Sequence, residues 1–156
     1  RVVLPKAAVG NRRDVLYITL IQKGCGNNFL LFTYLSGSRI FSIRTDYLRS
    51  VAAAGKIQDL GPKDGKIIIL GTDGGAALFY RYEGKSQIYR WDANQAMFTK
   101  GELVYTSPNC CYLSTQVLPD VKRGTMRVLE SNFPDYIQGT VGCGASQRVA
   151  LMVSEV

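Results

Sequence analysis

The apolar residues fall in short runs of strand length, separated by turn-forming clusters. Val15 to Ile21, Phe29 to Tyr34, Arg39 to Ile43, Ile67 to Leu70, Ala77 to Tyr82, Gln87 to Trp91, Glu102 to Tyr105, Tyr112 to Leu118, Thr125 to Glu130 and Arg148 to Val153 are the strand candidates. Most are rich in β-branched and aromatic side chains, which suit a pleated surface buried on at least one side. Between them stand Gly24-Cys25-Gly26-Asn27-Asn28, Ser36-Gly37, Pro62-Lys63-Asp64-Gly65, Asp73-Gly74-Gly75, Glu83-Gly84-Lys85 and Pro119-Asp120. Glycine supplies positive φ, and Asp and Asn bond their own backbone, so such clusters turn a chain. Only Asp46 to Gly55 has a helical reading. The pattern predicts an all-β chain.

The runs also repeat. Asp14-Val15-Leu16-Tyr17-Ile18-Thr19 is echoed by Asp64-Gly65-Lys66-Ile67-Ile68-Ile69, and Ser38-Arg39-Ile40-Phe41-Ser42-Ile43 by Ser86-Gln87-Ile88-Tyr89-Arg90-Trp91. A fixed period of about 50 residues built from short strands is the signature of a β-propeller blade. Blade-like units are predicted at about 10–50, 60–95 and 100–153 of a single propeller domain. A propeller closes with roughly 4 to 8 four-stranded blades. The expected structure is therefore the C-terminal part of a larger ring, completed by a missing segment or a second chain. The start at Arg1-Val2-Val3, without a charged n-region and apolar h-region, predicts a terminus set by processing.

Composition narrows the function. With 46% apolar and 20% charged residues the chain has material for a packed core. No apolar run approaches the ~18 residues of a membrane helix. The net charge of +7 attracts anions in general. Its densest basic group, Arg39, Arg44 and Arg49, falls on a strand and the following turn without a stripe of interleaved aromatics, which argues against specific nucleic-acid binding.

Cys25, Cys110, Cys111 and Cys143 lack metal-site spacing, and no histidine exists to complete a mixed site. They are disulfide candidates in a secreted protein, with three internal pairings open and pairing to a missing part also open. No metal, cofactor or catalytic residue is assigned. General acid–base chemistry near neutral pH most often uses histidine, and the chain has none. Asp73-Gly74-Gly75 reads as a hairpin turn rather than a calcium loop. Trp91 reads as packing between blades, and Tyr80, Tyr82 and Tyr89 as a set divided between core and solvent.

Three phrases in order carry a family resemblance. They are Ser36 to Arg49, then Asp64 to Ile69 with Ile88 to Asp92, then Met126 to Phe133. Together they resemble the C-terminal blades of the yellow/major royal jelly protein family, over roughly Leu16 to Cys143. The resemblance implies a secreted, disulfide-bonded, arthropod-typical six-bladed propeller, with about three N-terminal blades supplied elsewhere as partner. A homo-oligomer is compatible with it. It further implies a non-enzymatic role, either binding a small aromatic or pigment-related molecule of the biogenic-amine type or serving as an abundant structural protein. The alternative it implies is a dopachrome-converting isomerase. Matching the family's channel-lining side chains, Thr115, Asn132 and Phe133 are the expected ligand contacts. The stretches Gln22 to Tyr34 and Gly71 to Gly84 are longer than the family's usual links.

Overall fold

A computed structural model describes residues 15–34, 36–50, 54–108, 112–140 and 147–152. The first antiparallel sheet holds β1 (Val15–Gln22), β2 (Asn28–Tyr34), β3 (Arg39–Arg44) and β4 (Gln58–Pro62). The second holds β5 (Ile67–Thr72), β6 (Ala77–Tyr82), β7 (Gln87–Asp92) and β8 (Glu102–Thr106). The third holds β9 (Leu113–Asp120), β10 (Thr125–Ser131) and β11 (Gln147–Met152). Each strand pairs with its neighbour in the chain, the meander of a propeller blade. Both sequence echoes fall on equivalent strands, first on β1 and β5, then on β3 and β7.

All ten predicted strands are present, within about two residues at each end. The sheet grouping differs from the repeat units at two outer strands: β4 completes the first sheet beyond residue 50, and β8 completes the second beyond residue 95. Two elements went unread. The first is β4, where Leu60 is the one large apolar side chain, so this edge strand is held by pairing to β3 rather than by its own pattern. The second is α2 (Phe133–Gln138), with Pro134 in its first turn and Gly139 capping it at φ 69°. Pro119-Asp120 lies inside β9, and the turn is 121–124. Of the predicted 46–55 helix, α1 (Thr45–Leu48) is one turn, and residues 51–53 lie outside the described set.

The sheets stack face to face. Leu31, Ile40 and Leu60 of the first pack against Ile67, Leu78, Tyr80 and Trp91 of the second. Ile68, Phe79 and Ile88 of the second pack against Val117, Met126, Val128 and Met152 of the third. The middle sheet is thus apolar on both faces, and its strand β6 reads as an unbroken buried run. Trp91 is 2% exposed with Phe98 edge-on at 5.2 Å, in the packing role expected of it. Phe32, Tyr34, Phe41 and Ile43 form a further cluster on the opposite face of the first sheet.

Candidate ligand groove on the inner strands

The first strand of each sheet, β1, β5 and β9, lies beside the first strand of the next. Together they wall an open groove of about 510 Å³, within the ~300–1,000 Å³ of small-molecule sites. Each of these three strands carries a β-bulge against its partner: between Val15 and Tyr17, between Ile69 and Gly71, and opposite the Leu129/Glu130 step. Bulges bend a strand and re-aim its side chains. At the third of these, Thr115 is the residue left without a cross-strand partner.

The groove presents a phenol from Tyr17, hydroxyls from Thr19, Thr72 and Thr115, and the Gln116 amide, beside the exposed apolar side chains of Ile18, Leu20 and Leu118. The Thr115 hydroxyl donates to the Leu129 carbonyl at 3.1 Å, which leaves its lone pairs to accept. Asp73 shapes one end: its Oδ1 accepts from the Gly75 and Ala77 amides at 2.8 and 3.2 Å, and the Gly75 carbonyl accepts from the Gln22 amide at 3.0 Å. The Asp73-Gly74-Gly75 hairpin is therefore an Asx-type turn that ties β5 to β1. Among the described residues lining the groove there is no carboxylate and no basic side chain.

Of the three sequence-predicted contacts, Thr115 lines the groove, whereas Asn132 and Phe133 do not. Asn132 follows β10, and its Nδ2 donates to Asp135 at 3.4 Å. Phe133 is 51% exposed on α2 and stacks on Tyr136 at 6.2 Å. Tyr17, Thr19, Thr72 and Gln116 were not anticipated as site residues. A signal existed for the β1 and β5 residues in the echo between those two strands, whereas Gln116 on β9 lies outside either echo. Cys25 is free and exposed, and hydrogen bonds from the Asn27 backbone and side chain hold its thiol below the usual range. Cys110, Cys111 and Cys143 lie outside the described residues.

Behind the groove wall, between the second and third sheets, is a set of polar side chains. The Glu130 carboxylate is buried, accepts from the Tyr105 hydroxyl at 3.0 Å and has Arg148 Nε 3.1 Å from its Oε2. Arg81, 8% exposed, donates from Nε to the Ser114 carbonyl at 2.8 Å and from a terminal nitrogen to the Tyr82 carbonyl at 3.2 Å. Desolvation lowers its pKa.

A family model described as major royal jelly protein matches residues 10–152 of this chain. No match is found among curated proteins.

Proposed function

The chain belongs to the major royal jelly protein family, and on that premise we propose a secreted protein whose channel groove binds a small aromatic or pigment-related molecule without converting it. The observation that carries this reading is the groove on β1, β5 and β9. It offers an aromatic ring, apolar wall and several hydroxyl or amide groups, the mixture that orients a flat ligand. Its described side chains include no group suited to move protons near neutral pH, which favours holding a ligand over turning it over. Among the described residues no helix is long and apolar enough to cross a membrane.

The same reading assigns partners to the end faces of the stack. The first sheet leaves an apolar hollow of about 180 Å³ between Val15, Ile18, Leu30, Phe32 and Ile43. The third leaves Val149 and Leu151 63% and 48% exposed. Apolar patches of this kind mark interaction surfaces, and the further sheets of the ring are the partners that fit them.

Calorimetric titration with a panel of small aromatic compounds tests the binding role. Saturable binding that Thr115→Val or Tyr17→Leu weakens supports the proposal. If ligands bind with unchanged affinity in both variants, the groove is not the site. Faster loss of dopachrome absorbance in the presence of the protein would replace a binding role with an enzymatic one.

A further inference from the structure

Tyr80 and Tyr82 stand two apart on β6, and Tyr89 and Trp91 two apart on β7, with Tyr80 directly opposite Tyr89. The two-residue period of a strand puts all four on one face of the second sheet, where they join the core shared with the first. Phe98, from the link between β7 and β8, completes a column of touching rings. Centroids are 5.2 Å apart from Trp91 to Phe98, 5.5 Å from Phe98 to Tyr80 and 5.9 Å from Tyr80 to Tyr82. Tyr89 lies 5.8 Å from Tyr80 and 5.3 Å from Tyr82. The column runs from buried Trp91 and Tyr80 to half-buried Tyr82 and Tyr89. Rings this close pass an electron in short tunnelling steps, so a vacancy made in one settles on the ring that loses an electron most easily.

The surroundings decide which ring that is. A phenol gives up an electron readily only when its proton leaves as well, because the phenol radical cation is a strong acid. The Tyr82 hydroxyl donates to Asp64 Oδ1 at 2.7 Å, and among the described residues no cation is paired with that exposed carboxylate. Burial and the Asp64 bond raise the Tyr82 pKa, so the phenol keeps its proton at neutral pH until the electron goes. At Tyr89 the Lys100 ammonium sits 5.4 Å from the ring and opposes positive charge there. Tyr105 also donates to a carboxylate, Glu130, but Arg148 already neutralises that group and makes it a poorer base.

We propose that Tyr82 is a one-electron oxidation site, reached from Trp91 through the ring column and served by Asp64 as proton acceptor. A radical oxidant takes one electron from the column and becomes its anion. The Tyr82 O–H bond breaks, the proton passes to Asp64 Oδ1, and Tyr82 is left as a neutral phenoxyl radical. The oxidising equivalent thereby leaves the core for a ring that solvent reductants can reach. The groove on β1, β5 and β9 takes no part, so this role stands or falls separately from ligand binding.

Pulse radiolysis of the full chain with azide radical as oxidant tests it. The radical of Trp91, the single tryptophan, is expected to convert to a phenoxyl radical at a rate independent of protein concentration. A nitroso spin trap and peptide mapping should then find the adduct on Tyr82. Tyr136, 70% exposed, is the built-in control, since it would carry the adduct if exposure alone decided. Asp64→Asn keeps an oxygen acceptor for the Tyr82 hydroxyl and removes the base, and should slow the conversion roughly tenfold or more. Unchanged native tryptophan emission in that variant shows that the column is intact. An adduct on Tyr136 or held at Trp91, or conversion as fast in Asp64→Asn as in the wild type, overturns the assignment.

Discussion

A Cβ at Gly71 would collide with the Val117 carbonyl, because the bulge in β5 brings its backbone against β9 inside the groove. Only glycine permits that approach, and the neighbour in the way is backbone that cannot rotate aside. Gly71→Ala is expected to cost about 1–3 kcal/mol, as overpacking does, and to weaken groove binding along with stability. Chemical denaturation and titration of the same variant read both effects. Lys63 gives a test in pH. Its side chain is buried and donates to the Tyr34 carbonyl at 2.8 Å, and burial, helped by the Lys66 charge, lowers its pKa to about 8. Between pH 8 and 10 the unfolded chain holds the Lys63 proton more tightly than the folded one, so stability rises with pH across that window. Above it the trend reverses, since Tyr80, Tyr82 and Tyr105 have raised pKa values and resist ionising in the fold. Lys63→Met should flatten the rise in Tm between pH 8 and 10, and an unchanged slope would refute the assignment.

At the scale of elements, what was legible in the sequence was what carries its own pattern. Strands such as β2 and β6 are dense in large, mostly buried apolar side chains, and the unbroken apolar run marks each of them in the sequence. The outer strand β4 has no such pattern, since Arg39–Asp59 pairing and the β3 ladder hold a segment that reads as a turn. The helix α2 did have legible caps in Pro134 and Gly139, but the six residues between them were too few to show a helical period. Phe133, which the family resemblance makes a channel residue, is 51% exposed on that helix. Thr115 lies on the groove wall at the point where β9 bulges, a detail of register that no linear pattern reveals. The junction of the first two sheets has a built-in reporter in Trp91, the single tryptophan. Phe98 stacks edge-on against both Trp91 and Tyr80, so Phe98→Ala should destabilise by about 3–5 kcal/mol and shift native tryptophan emission to the red. Unfolding followed by that emission measures both.

The whole molecule is a stack whose inner interfaces are apolar and whose two end faces are apolar as well. An end face that met only water would alternate apolar and polar along each strand. On the first sheet the outward side instead gathers Phe32, Phe41 and Ile43 beside exposed Ile18 and Leu20. On the third, Val149 and Leu151 point outward while Met152 is buried against the second sheet. If further blades cover these faces, lysines at Val149 and Leu151 would have to be buried unpaired at the seam. The double variant Val149→Lys/Leu151→Lys should therefore abolish assembly with the remaining blades. It should change the stability of this chain alone by no more than about 0.5 kcal/mol, as surface substitutions do. Native mass spectrometry of the assembled protein, run with and without reductant, reads association and any disulfide link together. Assembly that survives both lysines would move the seam off β11 and leave the exposed face of the third sheet without its proposed partner.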